Sequence, residues 1–175
     1  MSPDSSKKSV AGDVSDPRAF TLLNELLTSG FDVRIRVTGS SMSPFLLGGE
    51  VLTIRKVMPG SLRLGDLIFF RTPEDIPVLH RIIGKKTGKD KSYTFRTKGD
   101  AVSIIDDPVT ERDILGKVCR IEQIHAVSMR RLIDMELPIW KAMNFSLALV
   151  SIGKGKVTAH PALAAFLRRI KKAFV

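Results

Sequence analysis

The chain has 175 residues, 43% of them hydrophobic, with a formal net charge of +10. That is enough for one domain with a real core, and it excludes wholesale disorder. A single cysteine, Cys119, excludes an intrachain disulfide, and no Cys/His cluster has metal-ligand spacing, so no metal is expected.

Met1 to Ser15 is polar and poor in apolar side chains, and reads as a disordered tail. Lys7 and Lys8 are followed by no apolar stretch of the signal-peptide kind, and no run reaches the roughly 18 apolar residues of a membrane span. The location expected on that reading is the cytoplasm, with peripheral attachment to a membrane as the variant.

Asp16-Pro17 has the form of a helix start, Phe20, Leu23, Leu26 and Leu27 recur at helical spacing, and Gly30 ends the helix. Phe31, Val33, Ile35 and Val37 then alternate with Asp32, Arg34 and Arg36, which predicts a half-buried strand. Strand-like runs follow at Val51 to Lys56, Asp66 to Arg71, Val78 to Ile83, Tyr93 to Lys98 and Ile114 to Glu122. Gly48-Gly49, Pro59-Gly60, Gly65-Asp66 and Gly88 supply the turns.

The predicted fold is mainly β, an antiparallel sheet. Past Ile124 the pattern changes, and Met129 to Met135, Ile139 to Val150 and Ala162 to Phe174 read as helical. No acidic residue follows Glu136, while Lys141, Lys154, Lys156, Arg168, Arg169, Lys171 and Lys172 lie in that stretch. The expected division is a tail at 1–15, a β core with a leading helix at 16–124, and a basic helical appendage at 125–175. An anionic membrane surface is the partner that the appendage suggests.

Three stretches carry side chains able to do chemistry. Gly39-Ser40-Ser41-Met42-Ser43-Pro44 follows a strand, and a serine on a tight bend can present its hydroxyl with a backbone N–H facing a developing oxyanion. Val78-Leu79-His80-Arg81-Ile82-Ile83 sets a histidine inside an apolar run. Thr97-Lys98-Gly99-Asp100, with Asp106-Asp107 soon after, offers carboxylates that would fix an imidazole's tautomer. Each stretch alone is explained as well by a surface turn or by a histidine satisfied within the sheet.

In combination, Ser-Met-x-Pro, Gly-Asp, His-Arg-Ile, Thr-Lys-Gly-Asp and a second Asp occur in the order seen in type I signal peptidases. The chain resembles the endoplasmic-reticulum and archaeal branch of that family, which carries histidine where most bacterial members carry a general-base lysine. The resemblance runs from about Val37 to about Glu122. It implies an antiparallel β peptidase core of the signal peptidase and SOS-repressor type. It also implies Ser41 as nucleophile, His80 as general base, and Asp106 or Asp100 as the carboxylate orienting the imidazole. Gly65-Asp66 corresponds to a structural turn.

At the bend the chain has Gly39-Ser40 where the family usually has Ser-Gly, an arrangement closer to the self-cleaving SOS-repressor peptidases of the same clan. The expected oxyanion donors are the Ser41 backbone N–H and Ser40. The implied substrate is a peptide or preprotein segment, and Ser-His-Asp chemistry calls for no organic cofactor. The alternative is a catalytically inactive module that binds a peptide precursor or nucleic acid. Scarce aromatics and the lack of a helix-turn-helix before Ser41 argue against nucleic acid. His125 and His160 are fallback bases outside these motifs.

Overall fold

The structure is a computed structural model that describes residues 17–124 and 130–154. Helix α1 (Pro17–Thr28) starts on proline, whose fixed φ suits the first helical position. Gly30, at φ +85°, ends it: the Phe31 N–H reaches back to the Leu26 carbonyl (3.0 Å) and the Gly30 N–H to Leu27 (3.1 Å). Leu23 and Leu27 are the buried face of this helix.

The strands are β1 (Val33–Arg36), β2 (Val51–Arg55), β3 (Leu67–Arg71), β4 (Pro77–Thr87), β5 (Tyr93–Lys98), β6 (Val109–Thr110), β7 (Ile114–Ile124) and β8 (Arg130–Asp134). They pair antiparallel throughout in the order β1-β2-β7-β3-β4-β5-β6, with β8 joined to β7. The fold is therefore mainly antiparallel β, as expected. β7 is the spine. One edge carries β2, and the other carries β3 along its first half and β8 along its second.

Alternate residues of β3 feed two cores, as the two-residue period of a strand requires. Leu67 and Phe69 join α1, β1, β2, Val118, Ile121 and Ile133, while Ile68 and Phe70 join Leu62, Ile82, Phe95, Val109 and Ile114 on the other side. Each fully buried Leu, Ile or Phe contributes roughly 1.5–3 kcal/mol.

The stretch 129–135 corrects the helical expectation, because residues 130–134 are strand β8. Its apolar residues fit either period. The free edge that β7 offers beyond the end of β3 decides the matter, and Ile133 and Met135 then turn inward together. Helix α2 (Pro138–Lys154) covers the expected helix at 139–150. The tail at 1–15, the predicted helix at 162–174, His125 and His160 lie outside the described residues.

Candidate active site

The bend that carries Ser41 is a loop cinched at its base. The Val37 N–H donates to the Glu50 carbonyl (3.0 Å) and the Gly49 N–H to the Val37 carbonyl (2.6 Å). The buried Glu50 carboxylate accepts the N–H groups of Leu47 (2.8 Å) and Gly48 (2.9 Å). Met42 and Leu46 anchor the loop in the core. Ser41 is left half-buried at its outer turn, and Ser40 is exposed one position earlier, its carbonyl accepting the Ser43 N–H (3.0 Å).

His80 lies on β4, paired with Ile68 of β3, and is 8% exposed. Its Nε2 is 3.2 Å from Ser41 Oγ, and its Nδ1 is 2.6 Å from Asp106 Oδ2. Thr97 pairs with Ile82 and so shares a sheet face with His80. Its hydroxyl donates to the same Asp106 oxygen (2.7 Å), while its carbonyl accepts the Asp106 N–H (3.0 Å). The structure thus brings Ser41, His80 and Asp106 into one chain of hydrogen bonds, held from behind by Thr97. A carboxylate on Nδ1 holds the imidazole with Nε2 toward the hydroxyl, the arrangement needed for proton abstraction.

Asp100 is not beside the imidazole. Its carboxylate forms a fork with Arg81, Nε to Oδ1 at 2.8 Å and Nη2 to Oδ2 at 2.6 Å. Arg81 is fully buried, and its Nη1 donates to the Gly65 carbonyl (3.0 Å) and to Asn144 Oδ1 on α2. The Phe45 ring faces the guanidinium at 4.9 Å. Lys98, the cross-strand partner of Arg81, donates to the carbonyl and hydroxyl of Ser151, each at 3.1 Å. The Ser151 carbonyl is one of the last four of α2, so the ammonium caps that end of the helix. One face of β4–β5 therefore carries His80 and Thr97, and the other carries two buried cations roofed by α2.

Gly99 fits between the serine and the histidine. A Cβ there would lie 2.6 Å from the Ser41 carbonyl oxygen and 2.9 Å from His80 Nε2. The next residue but one, Ala101, donates its N–H to that same carbonyl (2.8 Å). Gly65, at φ +93°, is pressed onto α2, where a Cβ would meet the Asn144 backbone at 2.6 Å. Asp66 binds Lys117 (3.0 Å), which also binds Glu136 (2.8 Å). Burial alone would lower the Lys117 pKa, but the two carboxylates outweigh it and raise the pKa above the ordinary lysine value. The Gly65-Asp66 turn is accordingly a packing feature.

Sequence reasoning missed Glu50, Thr97, Asn144 and Ser151. Thr97 stood in a quoted motif without a role, and a buried partner lying 63 residues from Arg81 leaves no local signal.

Part of the chain matches curated proteins, among them two signal peptidase subunits. The catalytic subunit of the signal peptidase complex of Dictyostelium discoideum is 32% identical over 71 residues, 40% of this chain and 39% of that protein. The corresponding subunit of Plasmodium falciparum is 32% identical over 71 residues, 40% of this chain and 38% of its own. The chain is similar to signal peptidase. It spans about two-fifths of the length of these relatives. No family profile matches the chain. In this signal peptidase-like chain, no described helix is long and apolar enough to cross a membrane.

Proposed function

We propose that the chain is a serine endopeptidase of the signal peptidase type, acting through Ser41, His80 and Asp106. The observation that carries the reading is the continuous pair of hydrogen bonds from Ser41 Oγ through the His80 ring to Asp106. An extended peptide pairs its backbone near Ser41, with small side chains beside the scissile bond, as the family resemblance implies. Ser41 Oγ attacks the carbonyl carbon while its proton passes to His80 Nε2. The tetrahedral intermediate collapses, the C–N bond breaks, and the leaving amine takes that proton. Water then attacks the acyl-enzyme, giving a proton to His80, and Oγ leaves with it.

The Ser41 N–H, with Ser40 beside it, serves the oxyanion, where one donor is worth about 2.7–4 kcal/mol. Asp106 stabilises the imidazolium. Asp100 acts at a distance, by neutralising Arg81 and fixing the backbone that supports Gly99. Mass mapping of peptides released from a peptide mixture tests the reading. Products formed by wild type and absent with Ser41→Ala are expected, and an identical product set from both proteins would remove Ser41 as nucleophile.

A specific observation also favours work at a membrane surface. Helix α2 is polar inward and apolar outward: Asn144 and Ser151 are buried against the cations, while Ile139 (72%), Phe145 (45%), Leu149 (51%) and Ile152 (45%) are exposed. At 17 residues it is about 25 Å long, too short to span a bilayer, and suited to lie in its interface. With no acidic residue after Glu136, anionic lipid is the matching surface. Co-sedimentation with phosphatidylglycerol vesicles is expected and should weaken in Phe145→Ser/Leu149→Ser. Undiminished sedimentation of that variant would reject α2 as the contact.

A further inference from the structure

The segment 101–105 is tied to the candidate active site at both ends and open in the middle. At one end Ala101 donates to the Ser41 carbonyl (2.8 Å), and at the other the Asp106 N–H donates to Thr97 (3.0 Å) while the Asp106 side chain holds His80. Between them Val102 (37%), Ile104 (80%) and Ile105 (38%) face solvent. The point occupied by a Cβ on Gly99 lies 2.9 Å from His80 Nε2 and 3.0 Å from Val102 Cγ2, so the valine methyl and the imidazole both flank that glycine. Among the described residues, no backbone group of 102–105 makes a hydrogen bond within the protein.

Ile104 buries little, Val102 and Ile105 stay partly open, and the amides and carbonyls of the segment are left for a partner outside the fold. Together they are what an extended peptide recognises: main-chain groups that pair with its backbone, and apolar side chains that select among its residues. Their attachment to Ser41, Asp106 and the neighbourhood of His80 fixes where such a peptide would run.

The geometry points to residues 102–105 as a substrate-reading segment that binds a large aliphatic or aromatic side chain of the peptide, at a position other than the small ones that flank the scissile bond. The inference takes its substrate from the peptidase reading, but the binding it describes does not require hydrolysis. Val102 and Ile105 form the inner, half-covered part of the contact, and Ile104 the outer rim.

The test uses the full chain carrying Ser41→Ala, so that binding is measured without turnover. The probes are two fluorescein-labelled octapeptides of alanine and glycine, one with leucine and phenylalanine near its centre and the other with serines in their place. Fluorescence polarisation should show the apolar peptide binding at least about tenfold more tightly, the scale on which an apolar contact discriminates. Adding Val102→Ser/Ile104→Ser/Ile105→Ser should abolish that preference, and adding Ile104→Ser alone, at the most exposed position, should reduce it without risk to the fold. Equal binding of the two peptides to the intact segment, no binding of either, or a preference that survives all three serines would overturn the assignment. A preference seen in Ser41→Ala while wild type cleaves neither peptide would leave this segment standing and count against the peptidase reading.

Discussion

Replacing Asp100 with alanine separates the two aspartates that the sequence left side by side. The Arg81 side chain is 0% exposed and the Asp100 side chain 9%, so water screens their pairing little. Without Asp100 the guanidinium keeps the Gly65 carbonyl and Asn144 Oδ1, but no negative charge. Removing one partner of a buried ion pair costs about 3–5 kcal/mol, a large part of the 5–15 kcal/mol that holds a typical domain together. For a chain of this size that lowers the melting midpoint by roughly 6–20 °C. Thermal and urea melts followed by far-UV circular dichroism read the shift. Asp106→Ala, whose side chain is 23% exposed, should keep a midpoint much nearer to wild type while losing hydrolysis. Arg81→Met/Asp100→Leu, which removes both charges, should recover most of the stability lost in Asp100→Ala. A midpoint for Asp100→Ala within 2 °C of wild type, or a larger loss in Asp106→Ala than in Asp100→Ala, would refute this division.

Three other expectations are independent of that one. Gly99→Ala places a methyl 2.6 Å from the Ser41 carbonyl oxygen and 2.9 Å from His80 Nε2, so peptide hydrolysis should fall at least about tenfold while the protein stays folded; wild-type turnover would mean that the contact is slack. Thr97→Val keeps the shape and removes the hydroxyl bonded to Asp106. A lower kcat with little change in KM is expected, and a rise in KM alone would place Thr97 in binding. Burial pushes the Cys119 thiol pKa up, and its Sγ–H donates to the Thr53 carbonyl at 3.3 Å. Iodoacetamide at neutral pH should modify it slowly in the folded protein and quickly in urea, whereas fast modification of the folded protein would contradict its burial.

Much of the sheet was legible because local signals and tertiary demands agree. Val33 and Ile35 point inward as their alternation requires, Gly30 ends α1, and the runs at 51–56, 66–71, 93–98 and 114–122 are strands within a residue or two at most of their ends, while 78–83 lies inside a longer one. Strand β4 runs four residues past the predicted end, through Gly84 to Thr87, where apolar patterning gives way to lysines paired with β5. β8 was misread because its five residues fit both periods and only the open edge of β7 resolves them. β6, two residues long, is too short to carry a pattern.

The candidate site divides the same way. Ser41, His80 and Asp106 stood in motifs, and their meeting was expected. That Asp106 faces the imidazole, with Asp100 turned to Arg81, depends on the opposite faces of β4 from which His80 and Arg81 leave, and on the polar Asn144 and Ser151 on the inner side of α2. Asn144 and Ser151 on the buried side of the helix make sense only once Arg81 and Lys98 are seen beneath them.

The central claim is that the Ser41 hydroxyl is an activated nucleophile. A fluorophosphonate probe followed by peptide mass mapping measures this directly. Wild type should be labelled at Ser41, His80→Ala should be labelled far more slowly, and Ser41→Ala should not be labelled. A folded wild type that stays unlabelled, or a label found on any other residue, would contradict the account.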